Sequence, residues 1–335
     1  VDLRAALHTA AERLGGESQI PSLDGATEWL NSPTLTMDDL RGKVVLFQFG
    51  TYTCINWIRT LPYIRAWADR YEDQGLVVIG LQTPEFSFEH DVDNVRQALK
   101  AMRVEYPVAV DNDYAIWDAF DNHYWPALYL IDADGQMRHH HFGEGGYGET
   151  EGIIQELLTA SGAGDIARDP ASVDAGGVEE AADWDTLRSP ENYLGYERTE
   201  NFASTGEAKL DEPHVYTAPS RLRLNEWALS GNWTLEPEAC MVSEPGGRIL
   251  YRFHSRDLHL VMGPAVRGAS VRMRVLVDGH SPGAAHGLDV NENGEGTVSE
   301  QRLYQLVRQP GPVEDRDFEL AFLDPGARGY VFTFG

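Results

Sequence analysis

The sequence predicts an α/β domain followed by an all-β sandwich of jelly-roll type. Three observations lead there. Over the first half, short β-branched and aromatic runs alternate with stretches whose apolar residues recur at helical spacing. Beyond residue 182 the runs are short, closely spaced and punctuated by Gly, Pro, Asn and Asp. Between them, residues 161–182 are rich in Ala, Gly and Asp with little periodicity, which reads as a linker. At 335 residues the chain exceeds one typical domain. The expected organisation is therefore a helical extension over 1–18, an α/β domain over 19–160, the linker, and a sandwich over 183–335.

The elements follow in order. Residues 43–49 (KVVLFQF) form a run without alternation, as in a strand buried on both faces. The turn-prone stretch 50–53 ends it. From Trp57 onward, Ile58, Leu61, Ile64, Trp67 and Ala68 share a helical face down to Tyr71. Residues 75–81 read as a strand. Residues 92–102 read as a helix with Val95, Ala98, Leu99 and Met102 on one side. A strand at 106–110 and a short helix at 116–120 come next. Strand 127–131 turns at Asp134-Gly135 into 136–142, and a last helix covers 149–158. In the second domain, strands are expected at 221–227, 248–253, 258–262, 271–277, 303–307, 318–322 and 329–334.

Cys54 falls at the junction between the first long strand and its helix. Unpaired backbone N–H groups and the helix dipole favour a thiolate there. Thr51 and Thr53 are placed to cap the helix or to donate a hydroxyl to the sulfur. The alternative for this cysteine is a small, inert, buried side chain.

These residues together resemble the thioredoxin superfamily, in its TlpA-like, peroxiredoxin-related branch. Pro62 lies eight residues after Cys54, the offset of the helix-kinking proline in that family. The resemblance implies that Pro126 is the cis-proline beside the cysteine, and that Trp125 offers its backbone to an incoming chain. It implies a proton-transfer role for Glu85, in the run Leu81-Gln82-Thr83-Pro84-Glu85; a solvated loop carboxylate is the alternative. Tyr124-Trp125-Pro126-Ala127, Phe142-Gly143-Glu144-Gly145 and residues 193–202 are similar to the exported C-terminal portion of actinobacterial DipZ proteins. That portion joins a TlpA-like domain to a sandwich resembling carbohydrate-binding modules. An extracytoplasmic location, periplasmic or secreted, follows from the resemblance alone.

Two positions depart from the family. The motif reads Cys54-Ile55-Asn56-Trp57, so the second cysteine is absent, and Gln48 replaces the buried carboxylate six residues before Cys54. A dithiol stores two electrons as an internal disulfide, whereas a lone thiol needs an outside thiol to release it. Trp57 is expected to pack beside Cys54, shielding the sulfur or walling a ligand pocket.

Composition bounds the rest. A formal charge of −26 argues against nucleic-acid partners. Apolar runs are only strand-length, so no membrane-spanning helix is expected, and the start has no charged and apolar leader pattern. Two cysteines are too few for a disulfide scaffold. Cys240 reads as a small buried hydrophobe, because a bridge to Cys54 needs Cα atoms within about 7 Å.

Further candidates lie outside the cysteine motif. Asp289, Asn291, Asn293 and Glu300 fit the spacing of a calcium loop. Their flanks look like strands, and Gly296 stands where a branched aliphatic is usual, so a hairpin loop is the first reading and structural calcium the second. Trp227, Trp233 and Tyr304 are offered either as a sugar-stacking platform or as core. His139, His140 and His141 alternate faces in a strand with no ligand cluster beside them. His123 reads as an exposed loop residue.

Three function classes remain. The first is monothiol redox chemistry at Cys54, with an external thiol reductant or a protein thiol or disulfide as partner. The second is a one-cysteine peroxidase of the AhpC/TSA kind. Thr51-x-x-Cys54 and the placement of Gln82 favour it; Phe47 and Pro126, standing where a proline and an arginine belong, oppose it. The third is a binding protein with a degenerate thioredoxin domain and a glycan- or protein-binding sandwich. No cofactor is required by any of them.

Overall fold

The computed structural model describes residues 20–164 and 166–335; the expected extension over 1–18 lies outside them. The chain divides between Ala175 and Gly176 into two compact units.

The first unit contains β1 (Glu28–Leu30), β2 (Val44–Gly50), α1 (Ile55–Tyr71), β3 (Leu76–Gln82), α2 (Val92–Ala101), β4 (Val108–Val110), α3 (Ala115–Ala119), β5 (Ala127–Ile131), β6 (Met137–Phe142) and α4 (Tyr147–Ala160). The strands form one sheet in the order β1-β4-β3-β2-β5-β6. β2, β3 and β4 run parallel, while β1, β5 and β6 pair antiparallel at the flanks. Every residue of β2 is buried, as its unalternating apolar run requires. Val45, Phe47 and Phe49 face Ile116, Trp117, Phe120 and Tyr129 on one side. Leu46 and Gln48 face the other side, where Gln48 bonds to Thr60 of α1. The expected strand at 106–110 is shorter than its apolar run, because the β3 partner pairs with it only over Val108–Val110.

The low-periodicity stretch 161–182 is anchored at both ends. Ala171 N–H donates to the Glu151 carboxylate (2.7 Å) and Asp169 pairs with Arg70 (3.2 Å) in the first unit. In the second unit Glu180 pairs with both Arg256 and Arg308.

The second unit is all-β: β7 (Asn192–Tyr193), β8 (Pro213–Tyr216), β9 (Trp227–Leu235), β10 (Cys240–Val242), β11 (Arg248–Phe253), β12 (Asp257–Pro264), β13 (Val271–Val277), β14 (Glu295–Val298), β15 (Arg302–Arg308), β16 (Arg316–Phe322) and β17 (Ala327–Phe334). The path runs β14-β13-β16-β11-β9-β10-β17-β12-β15, all antiparallel. β9 serves two sheets. Its residues 227–230 pair with β11, and its residues 231–235 pair with β8 and β10. Gly231, at φ +95°, makes the bend between them. The expected strand at 221–227 instead begins at Trp227, because Asn225 turns at φ +66° and Glu226 accepts from Arg223 N–H.

Two readings left open for this unit are decided, for core packing and for a hairpin loop. Trp227, Trp233 and Tyr304 are fully buried in its core, so none of them presents a face to a sugar. The calcium-spaced side chains serve other bonds. Asp289 pairs with Arg302 (2.7 Å) and accepts Gln305 N–H (2.7 Å), and Asn291 accepts the amides of Asn293 and Glu295 to close the hairpin turn. Glu300 lies 3.4 Å from Arg302. Among the described residues no cluster of three His, Cys, Asp or Glu side chains could hold a metal ion.

Candidate active site

The site forms at the carboxyl ends of β2 and β3, where the parallel strands hand over to loops. β2 ends at Gly50 and the chain turns through Thr51 to Thr53. Cys54 N–H donates to Thr51 O (3.1 Å), and Cys54 O accepts the first helical bond, from Ile58 N–H (2.9 Å). Cys54 is therefore the N-cap of α1, and the first turn of that helix holds no acidic residue. Its side chain is a thiol outside any disulfide, partly exposed. Such a position leaves the positive end of the helix facing the sulfur.

The Trp125–Pro126 peptide is cis. Cys54 Sγ lies 3.9 Å from Trp125 O. One hydrogen bond and a ring contact hold the Trp125 side chain beside it. Trp125 Nε1–H donates to Thr83 O (3.1 Å), and the Trp125 ring packs on Trp117 at 4.4 Å between centroids. Trp117 is held in turn by Asp111, which accepts the amides of Ile116 and Trp117 at the start of α3 (3.0 and 2.8 Å). Tyr124 is exposed beside Phe142, with ring centroids 4.8 Å apart.

Trp57 is buried and turned onto the backbone of Gly50: a Cβ at residue 50 would lie 1.9 Å from its Cδ1. The indole thus fills space over the end of β2, while Cys54 keeps its partial exposure. Gln48 is satisfied on both sides. Tyr106 OH donates to its carbonyl (2.8 Å), and its amide donates to Thr60 Oγ1 (2.8 Å), which donates to Trp57 O (2.7 Å). A neutral chain of bonds stands where the family's buried carboxylate is expected.

Gln82 donates to Thr51 Oγ1 (2.9 Å). Glu85 is partly buried, and its N–H donates to Glu89 Oε2 (2.6 Å). The carboxylate that bonds to the cysteine turn is that of Glu89, which the sequence reading missed. Glu89 is fully buried; its Oε1 bonds to Thr53 Oγ1, and its Oε2 accepts Phe86 N–H (3.0 Å). The usual N-terminal signal of a Ser or Thr three residues ahead is replaced here by Phe86. The readable clue is a carboxylate closing the run Phe86-Ser87-Phe88, whose aromatics are both buried.

Burial pushes the Glu89 carboxyl up from 4.5 to about 7, the Thr53 and Thr51 hydroxyls and the Phe86 amide opposing it and the Glu85 charge adding to it. Since the folded value exceeds the unfolded one, the stability this group supplies is complete below about pH 4.5 and lost as pH rises to about 7. The loss amounts to about 3 kcal/mol. Glu89→Gln is expected to flatten that fall, so urea midpoints at pH 5 and pH 8 converge relative to the parent. Parallel profiles for the two proteins would contradict it.

A buried ion pair also went unread. Arg59, one turn into α1, reaches Glu144 after β6 (3.3 Å), with both side chains buried. Its clue is a charge on the apolar stripe Ile55, Arg59, Pro62. His123 is exposed and pairs with Asp121 (3.3 Å). His139 bonds to Thr150 (3.2 Å), and His141 to Glu144 O (3.2 Å). Cys240 is fully buried in the second unit, and burial pushes its thiol well up.

A cysteine at a helix N-cap against a cis-proline, on a mixed sheet of this order, defines a thioredoxin-type thiol site. The AhpC/TSA family matches residues 19–140, and the family described as Thioredoxin like C-terminal domain matches residues 189–335. The DipZ proteins of Mycobacterium bovis and Mycobacterium tuberculosis are each 37% identical over 246 residues, 72% of this chain. The chain spans 35% of their length. The thiol-disulfide oxidoreductase YkuV of Bacillus subtilis is 31% identical over 140 residues, 42% of this chain and 93% of that protein. A solution structure of a thioredoxin-like protein in the oxidized form is 30% identical, with a TM-score of 0.40, covering 42% of this chain and 95% of that one. The chain belongs to the thioredoxin-like thiol-disulfide oxidoreductase family. Among the described residues no helix is long and apolar enough to cross a membrane.

Proposed function

We propose that the chain is a monothiol oxidoreductase in which Cys54 is the sole nucleophile of thiol-disulfide exchange. The observation that supports this is a partly exposed thiol at the N-cap of α1, 3.9 Å from Trp125 O beside the cis-proline, with Trp57 in place of a second cysteine. The Cys54 thiolate attacks one sulfur of a substrate disulfide. A Cys54–substrate disulfide forms, the substrate S–S bond breaks, and the departing thiolate takes a proton from water. An external thiol, as its thiolate, then attacks the substrate sulfur and releases the Cys54 thiolate. Nothing is stored on the protein between turnovers, because the resolving sulfur comes from outside.

Trp125 and Pro126 form the edge where the substrate chain docks, and exposed Tyr124 extends it. Thr51 and Gln82 hold the cysteine turn from below. Glu85, partly buried in the loop after β3, is the residue proposed to transfer a proton to or from the thiol. The partners are protein disulfides or thiols and a thiol reductant. The resemblance to DipZ supports an extracytoplasmic location, and the sandwich is read as an accessory module with no ligand assigned.

Incubation of the native protein with glutathione disulfide tests the reading by intact mass. One glutathione is expected on the Cys54 peptide, removed by added thiol, with none on a Cys54→Ser protein. An unmodified native chain overturns it.

A further inference from the structure

We propose that Glu89 is the positioning residue of the Cys54 site, holding the turn that carries the thiol through Thr53 and coupling its own charge to the reactivity of that thiol. The inference rests on the reading of Cys54 as a nucleophile.

Thr51, Thr53 and Cys54 belong to one turn, closed by the bond from Cys54 N–H to Thr51 O. The Thr53 hydroxyl of that turn bonds to the Glu89 carboxylate, which also gathers the amides of Glu85 and Phe86. Gln82 reaches Thr51 from β3, while its own Oε1 is buried without a partner among the described residues. The carboxylate is thus the hub that fixes the nucleophile's turn to the loop after β3.

Holding the turn does not by itself require a charge. A glutamine can accept both amides through its oxygen and donate to the Thr53 hydroxyl through its nitrogen. What the carboxylate adds is a proton that comes and goes near neutral pH. When Glu89 is protonated its O–H can donate to Thr53; when it is ionised, Thr53 donates to it. A buried anion bonded to the residue before Cys54 disfavours a second negative charge on the sulfur, so on this proposal the two groups titrate as a pair. Glu85, across the same loop, acts on Glu89 by like-charge repulsion, and Thr51, Thr53 and the Phe86 amide act in the opposite sense.

The test is the rate of Cys54 alkylation by iodoacetamide between pH 5 and pH 9.5 in the full chain, with Cys54→Ser as the blank for Cys240. The parent is expected to give a broadened, two-step profile. Glu89→Gln is expected to give one step and to react about tenfold faster near pH 7, the effect of a one-unit change in the thiol. Glu85→Gln keeps two steps. Thr53→Val, which removes the bond to Glu89 with its shape preserved, moves the lower step upward and serves if Glu89→Gln does not fold. Superimposable profiles for the parent and both Glu89→Gln and Thr53→Val overturn the proposal while leaving Cys54 a nucleophile. A thiol inert in every protein overturns the reading beneath it and this proposal together.

Discussion

The Trp57→Cys protein is expected to close an internal disulfide with Cys54 that the parent chain cannot form, and to be less stable while reduced. Position 54 caps α1 and position 57 is the third residue inside it. Side chains three apart on a helix have Cβ atoms about 5–6 Å apart, within reach of a disulfide after slight unwinding of the first turn. The same change removes a buried indole that lies directly on Gly50. Replacing a packed aromatic by a small side chain costs about 3–5 kcal/mol, because the surroundings collapse only partly. Thiol counting in denaturant, before and after oxidation, reads the first effect, and the urea midpoint of the reduced protein reads the second. If the two sulfurs stay free under an oxidant, the helix terminus lacks the dithiol geometry. If stability is unchanged, the indole is not the packing element described.

Glu144→Ala is expected to destabilise the first unit by about 3–5 kcal/mol, the range for stranding one member of a buried ion pair. Arg59 and Glu144 are both nearly inaccessible, at 1% and 8% of side-chain surface. Burial raises the Glu144 carboxyl and the Arg59 charge opposes it, so desolvation is the larger effect and the pair is finely balanced. Replacing both members with apolar residues therefore costs much less than removing one. Glu144→Ala with Arg59→Met should recover most of the loss in thermal unfolding. A single variant with an unshifted transition would show that water reaches Arg59 after all.

Much of the fold was legible because its signals are local. The unbroken run of β2, the helical stripe of α1 and the turn at Asp134-Gly135 each announce themselves within a few residues. The cysteine turn was legible for the same reason, whereas Pro126 was placed by the family resemblance alone. Glu89 was not, because its role is set by a hydroxyl 36 positions earlier in the chain, and no spacing rule links them. Arg59 and Glu144 are 85 residues apart, and each alone looks like surface charge. In the second unit, residue type left Trp227, Trp233 and Tyr304 open to the core or to sugars, since type alone does not tell an inward from an outward face, and burial decides for the core. β9 was masked by Ser230-Gly231-Asn232, a turn-like triplet that bends a strand between two sheets instead of ending it.

The central claim is that one reachable sulfur does the chemistry. Its most direct measurement is the reaction of the native protein with a chromogenic aromatic disulfide at pH 7, followed by peptide mapping. The account predicts one thiol reacting per chain, located at Cys54, faster than free cysteine under the same conditions and absent in Cys54→Ser. A native protein that reacts only after unfolding would contradict it.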